Sequence, residues 1–207
     1  MMGGSSFSEK VYEGTGWLVK LVYVQLLFLL FTSLGFVLFG LFPASAALFA
    51  IVRQWLLGKH DVSLFRTFWN YFKEYFVQAN VLGWFLSIAS VAITFYFFMF
   101  REFENGWGTI LVYLWFPITI LLLLLWLFWL PVLVHYEIKG LRVLKLAVYT
   151  AVMRPLHTVG FVVLMIALYY WSLILPGFIP ILNISLLVFG WMWIARHSFQ
   201  KFDEKVA

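Results

Sequence analysis

The sequence predicts an all-α fold: a polytopic helical membrane protein with about five transmembrane helices and amphipathic helices at the cytoplasmic interface. Apolar residues make up 64% of the 207 residues and charged residues only 11%, whereas soluble proteins are close to half apolar and a quarter charged. The apolar residues are grouped in runs whose lengths are close to the roughly 20 residues that a helix needs to cross a bilayer. The basic residues lie between those runs. We therefore expect residues 1–207 to form a single membrane domain.

Five stretches approach the length of a transmembrane helix. The first is longer than the roughly 7–15 apolar residues of a signal peptide, so we expect it to be retained. The last carries Pro180 near its start, which makes its beginning the hardest to place. The predicted spans are residues 17–41, 76–100, 109–134, 156–175 and 178–195.

The basic residues predict how these spans are oriented. Eleven of the fourteen fall in the connection after the first span, the connection after the third, or the C-terminal tail. Since Lys and Arg are retained on the cytoplasmic side, the N-terminus is expected outside and the C-terminus in the cytoplasm of a cell-membrane protein. Lys20 is then expected at the outer end of the first span, where its ammonium group can reach the lipid headgroups.

Two of the basic connections have the apolar periodicity of amphipathic helices. Phe65, Phe68 and Trp69 recur at helical spacing within residues 64–75, and a similar pattern covers residues 141–154. Basic amphipathic helices of this kind lie in the membrane interface. Each is followed directly by the next predicted span.

A third short helix is predicted at residues 44–57, within the stretch from Gly40 to Asp61. Pro43 suits a first helical turn, and the alanines that follow form a small-residue face for close packing. Arg53 is expected to hold the far end of this helix toward water, and Gly58 to cap it. The helix is too short to span the bilayer, so it lies in the inner interface or is re-entrant.

Five small or polar residues form one stripe along the second span. They are separated by three or four positions, which places them on one side of a helix. We interpret the stripe as a helix-packing surface, because no ionisable residue lies on it. The alternative is one wall of a polar path through the membrane. Its members are Asn80, Gly83, Ser87, Ser90 and Thr94.

No motif in the sequence points to catalysis, a cofactor or a metal. The chain has no cysteine, and its four histidines are never three or four positions apart, which is unlike a local metal site. A P-loop and a G-x-S-x-G motif are both absent from the sequence. The bilayer accounts for the net charge of +5, so a nucleic-acid partner is not expected and membrane lipids are. The sequence predicts a non-catalytic protein.

Several motifs resemble the YesL family of bacterial integral membrane proteins, also called DUF624. The clearest are GLFPASAAL from Gly40 to Leu48, VRQW from Val52 to Trp55, FRTFW from Phe65 to Trp69 and ANVLG from Ala79 to Gly83. Shorter similarities follow at residues 135–136, 153–155 and 175–177. The resemblance implies a role in sugar uptake, because members of this family accompany carbohydrate ABC importers in Gram-positive bacteria. It implies no catalytic residues.

Two functions follow as hypotheses. The first is an accessory membrane subunit that binds the permease or ATPase subunits of a carbohydrate ABC importer. The second is a stand-alone channel or facilitator that uses the Asn80–Thr94 stripe as its pathway. For the first hypothesis the candidate partner contacts are Pro43, Ala44, Ala47, Arg53, Trp55, Phe65, Phe68 and Trp69.

Overall fold

The computed structural model describes residues 7–60, 63–101, 106–136, 138–153, 155–174 and 182–206. These residues form seven helices. The helices are α1 (Phe7–Leu34), α2 (Leu41–Leu56), α3 (Leu64–Arg101), α4 (Gly106–Tyr136), α5 (Arg142–Met153), α6 (Pro155–Ile174) and α7 (Ile184–Val206).

The helical membrane fold is confirmed. Among the described residues four helical segments are long and apolar enough to cross a membrane: Thr15–Leu34, Leu64–Arg101, Ile110–Tyr136 and Pro155–Ile174. The fifth predicted span corresponds to α7, whose apolar part, Ile184–Arg196, is shorter than these four. Pro180 and the first residues of that predicted span lie outside the described residues.

The first span is shorter than predicted, because α1 ends at Leu34 and a tight turn leads into α2. A Cβ atom on Gly35 would lie 2.3 Å from the backbone of Gly40, so the turn can close only where a glycine stands. Between the two glycines, Phe36 and Val37 have φ values of 53° and 63°, in the left-handed region that such residues rarely adopt. The apolar run therefore continues to Leu41, but the helix does not.

The short helix α2 is the centre of the fold. Eleven of its sixteen residues are buried, and it packs against α1, α3, α4 and α7. Its small residues carry this packing, since Ala44, Ala46 and Ala47 are completely covered. An interfacial helix has one face on the lipid, whereas neighbouring helices cover most of the surface of α2. Gly58 ends it with a φ of 85°, as predicted for a C-terminal cap.

The predicted interfacial helix at residues 64–75 and the following span form one continuous helix, α3. Nothing in this segment breaks the backbone, because it contains no proline and its only glycine, Gly83, is helical. The other predicted short helix, at residues 141–154, is observed as α5, in which residues Val143, Ala147, Thr150 and Ala151 are buried.

Helix α4 contains Pro117 and Pro131, and the second proline determines a contact with α7. Proline has no N–H, so Pro131 leaves the carbonyl of Leu127 without its helical donor. The indole Nε1 of Trp191 donates to that carbonyl at 2.9 Å. Helix α7 is also held at its start by α1, since the Gln25 side chain accepts the backbone N–H of Ser185 at 2.9 Å.

The start of the first span lies beside the end of α2. Trp17, near the start of the first span, packs against Trp55 at the end of α2, with 5.6 Å between ring centroids. Lys20 donates to the carbonyl of His60 at 3.3 Å, and Arg196 of α7 donates to the carbonyl of Leu56. The start of the first span and the end of the apolar part of α7 thus adjoin the same end of α2. This differs from the predicted arrangement, with the start of the first span and the end of the last at opposite ends of the bundle, because α2 returns the chain to the end from which α1 starts.

Candidate functional site

Most of the residues predicted to contact a partner lie inside the chain's own core. The exposed fraction is 0% for Ala44, Ala47 and Phe68 and 2% for Trp55, and Pro43 is also buried. A separate protein cannot reach these side chains, so the prediction that they form a contact surface is wrong. Phe65 and Trp69 remain exposed, at 51% and 41%. The small-residue pattern after Pro43 did indicate close helix packing, but the packing is internal.

Arg53, another of these candidates, stabilises a helix end. Its guanidinium donates to the carbonyl of Val134, near the end of α4, at 3.0 Å. Lys20 and Arg196 likewise donate to carbonyl groups at and beyond the end of α2. Carbonyls at the C-terminal end of a helix lack helical donors and carry partial negative charge, so cations stabilise them. We call this part of the bundle, where α2 and α4 end, the basic end.

The polar stripe on α3 packs against neighbouring helices. The side-chain amide of Asn80 donates to the carbonyls of Phe39 and Phe76, both at 2.9 Å. A Cβ atom on Gly83 would lie 2.4 Å from the ring of Phe42, so the ring lies directly on the glycine. These contacts confirm the helix-packing interpretation for the first half of the stripe.

The second half of the stripe is less enclosed. The Ser87 hydroxyl donates to the carbonyl of Gly83 within its own helix, at 2.8 Å. Ser90 accepts the indole N–H of Trp126 on α4 at 3.0 Å and so joins the two helices. Thr94 is exposed. Four of the five residues therefore take part in local or interhelical contacts, and the path interpretation gains no support from them.

Sequence reasoning missed an apolar face on the second half of α3, at the end of the bundle away from the basic end. Its members recur at steps of four, three and four, which is the heptad spacing of helices that pack together. They line a shallow cavity of about 410 Å³, and Ile88, Val91 and Phe95 are 64–71% exposed. We call Trp84, Ile88, Val91 and Phe95 the distal face. The spacing is visible in the sequence, but only the structure shows that Trp84 packs against Phe42 of α2 while the rest of the face is left exposed.

The distal face is separate from the contacts that pair α3 with α4. Those contacts lie on the opposite side of α3, where the rings of Phe97 and Trp115 are 4.4 Å apart and Ser90 meets Trp126. The buried residues of α3 end at Leu86. Beyond Leu86, α3 and α4 pack against each other, and the faces that they turn away from each other do not contact the described core.

A second surface lies between the turn that joins α1 to α2 and the first half of α3. It is a groove of about 530 Å³ in which six of the eight lining residues are aromatic. The floor is buried, since Phe31 is 2% and Phe72 7% exposed. We call it the aromatic groove, and its aromatic lining is Phe31, Phe36, Phe39, Trp69, Phe72 and Phe76.

Histidines and carboxylates do not come together in the described part of the chain. A search of those residues finds no group of three or more His, Asp or Glu side chains with the spacing of a metal site. The ring of His60 packs against Trp17, with 5.1 Å between centroids, and His135 packs against Tyr136 at 4.8 Å. These two histidines take part in aromatic contacts at the basic end.

Comparison with known proteins identifies relatives over nearly the whole chain. The family model described as "Protein of unknown function, DUF624" matches residues 21–97. Three relatives come from Bacillus subtilis (strain 168), and each is described as an uncharacterized protein. YteU is 34% identical over 91% of this chain and 84% of its own length. YesV is 29% identical over 97% of both chains, and YesL is 32% identical over 69% of this chain and 66% of its own. No solved structure matches the chain.

Proposed function

The chain belongs to the DUF624 family, and we propose that it is a non-catalytic accessory subunit of a carbohydrate ABC importer in the cell membrane of a Gram-positive bacterium. The resemblance to the YesL family supports this role, since the family's members accompany such importers. The observation that carries the proposal is the distal face, which offers the heptad spacing of a helix-packing surface and leaves Ile88, Val91 and Phe95 64–71% exposed.

The occupant of the distal face is a transmembrane helix of the importer's permease subunit. Two small residues, Ser87 and Ala92, border the face and allow another helix backbone to come close. Heptad spacing and small residues favour a helix over lipid as the neighbour, because acyl chains require neither. The ATPase subunits are then held indirectly, through the permease.

Affinity purification from native membranes in mild detergent tests this association. The tagged wild-type protein is expected to recover a carbohydrate importer permease together with its ATPase. The double variant Ser87→Leu with Ala92→Leu fills the approach to the distal face and is expected to lower recovery at least fivefold. Val163→Leu on α6, a site that is 58% exposed, is the control and should leave recovery unchanged. Wild-type protein that recovers only further copies of itself, or no importer subunit, would contradict the proposal.

The basic end faces the cytoplasm in this account. Moving the start of α1 to that end adds Lys10 and Lys20 to the eleven basic residues already assigned there, which gives thirteen of fourteen. Arg101, at the far end of α3, is the exception. Lys and Arg tend to stay in the cytoplasm. An N-terminus at the basic end agrees with this tendency better than an outside N-terminus, since it places thirteen rather than eleven basic residues there.

Single cysteines can test the orientation directly, because the chain has no cysteine of its own. A membrane-impermeant maleimide added to intact cells is expected to label Arg101→Cys but neither Thr15→Cys nor Lys59→Cys. All three variants should react once the membrane is permeabilised, which serves as the control. Labelling of Thr15→Cys in intact cells would contradict this placement of the basic end.

A further inference from the structure

The aromatic groove carries an inference that does not depend on the importer. The groove is built into the fold rather than opened by a mobile side chain. Phe31 forms its floor by stacking on Phe68 and Trp69, with ring centroids 5.1 and 5.5 Å apart. Such a close-packed floor keeps the groove open, since its rings cannot fold into the space above them.

A strained turn forms one wall of the groove. Phe36 adopts a positive φ of 53° and is 87% exposed, so the backbone is held in an unfavourable conformation that directs an aromatic ring outward. The turn is held by backbone bonds from Val37 to Thr32 at 2.9 Å and from Phe39 to Gly35 at 3.1 Å. Strain of this kind persists where the surrounding structure enforces it, often at ligand-binding sites.

The opposite wall has a cationic edge. Arg66 and Lys73 stand three positions before and four positions after Trp69, within about 60° of it around the helix. The ammonium group of Lys73 lies 5.1 Å from the centre of the Trp69 ring. Glu74 is about 140° around the helix from Trp69 and lines a different cavity with Lys139. The groove is therefore apolar along its floor and positively charged at one margin.

We propose that the aromatic groove binds one anionic phospholipid. The acyl chain lies along the aromatic floor, and the phosphate is bound by Arg66 and Lys73. The rings of the floor and the cations of the margin match the two parts of such a lipid. Basic side chains beside an apolar membrane surface attract anionic lipids of the cytoplasmic leaflet.

Native mass spectrometry can measure the lipid that stays bound. The full chain is placed in nanodiscs that contain equal amounts of phosphatidylglycerol and phosphatidylcholine, then released under mild conditions. Wild-type protein is expected to retain one phosphatidylglycerol, enriched at least threefold over phosphatidylcholine. The double variant Arg66→Gln with Lys73→Gln should lose this enrichment. The control is Lys139→Gln with Lys145→Gln, which removes the same charge from exposed positions elsewhere at the basic end.

Two results would overturn the proposal. One is the absence of phosphatidylglycerol enrichment in the wild-type protein, and the other is an equal loss in the control variant, which would mean general attraction to the basic end.

The occupant is identified separately by Phe76→p-benzoylphenylalanine in native membranes, since this groove residue is 37% exposed. Photo-crosslinking to phospholipid is expected, and crosslinking to a polypeptide would contradict a lipid site. Unchanged gel-filtration profiles and thermal midpoints show that each variant remains folded.

Discussion

The hydrogen bond between Trp191 and the carbonyl that Pro131 leaves free gives the sharpest stability prediction. Trp191→Phe removes the indole donor but keeps a ring against Phe49 and Phe161, whose centroids lie 5.7 and 5.5 Å away. The carbonyl of Leu127 is then unsatisfied within the bundle. Intramolecular hydrogen bonds contribute about 0.5–1.5 kcal/mol, and interhelical bonds in membranes average about 0.6 kcal/mol. We expect Trp191→Phe to lower the free energy of unfolding by about 1–2 kcal/mol.

Pro131→Ala should reduce this loss. Alanine restores the backbone N–H that can donate to Leu127, so Trp191→Phe is expected to cost about 0.6–1.5 kcal/mol less in that background. The assay is reversible unfolding by sodium dodecyl sulfate in mixed micelles, followed by far-ultraviolet circular dichroism for the four members of the cycle. Trp193→Phe, on the same helix and 52% exposed, is the matched control and should show no coupling to Pro131. Equal costs of Trp191→Phe in both backgrounds would refute the proline-based account of the contact.

Three further substitutions test the packing of α2 and α3 in the same unfolding assay. Gly83→Ala should destabilise the protein by about 1–3 kcal/mol, because the ring of Phe42 occupies the space of the new methyl group. Gly16→Ala is the control and should not destabilise the protein, since the space for its methyl group is empty. Asn80→Leu should cost about 1–3 kcal/mol because it leaves the carbonyl of Phe39 unpaired. Sugar flux through proteoliposomes should not change, and a loss of flux with unchanged stability would favour the channel hypothesis. Arg53→Gln should lower the free energy of unfolding by about 1.5–3 kcal/mol, since a charged donor to the end of α4 is replaced by a shorter neutral one. A decrease below about 0.5 kcal/mol would contradict that role of Arg53.

The sequence was sufficient for the features that depend on local chemistry. Length and hydropathy identified the long helices, because crossing a bilayer requires about 20 apolar residues whatever the neighbours. Pro43, the alanines after it and Gly58 predicted α2 and its cap correctly. The spacing of Asn80, Gly83 and Ser90 correctly predicted a packing surface on α3.

The features that depend on tertiary contacts were not predictable in this way. The end of α1 is set by the close approach of Gly35 to Gly40, yet the apolar run continues past it without interruption. The charge pattern did not indicate that α2, too short to count as a span, returns the chain to the end from which α1 starts. Trp55 and Phe68 were predicted to contact a partner, but neighbouring helices cover both.

Photo-crosslinking from the distal face tests the central claim most directly. Val91→p-benzoylphenylalanine places the reactive group at a position that is 71% exposed on this face. After irradiation of native membranes, the account predicts a covalent product between this chain and the permease subunit of a carbohydrate importer. Products that contain only lipid, or only a second copy of this chain, would contradict it.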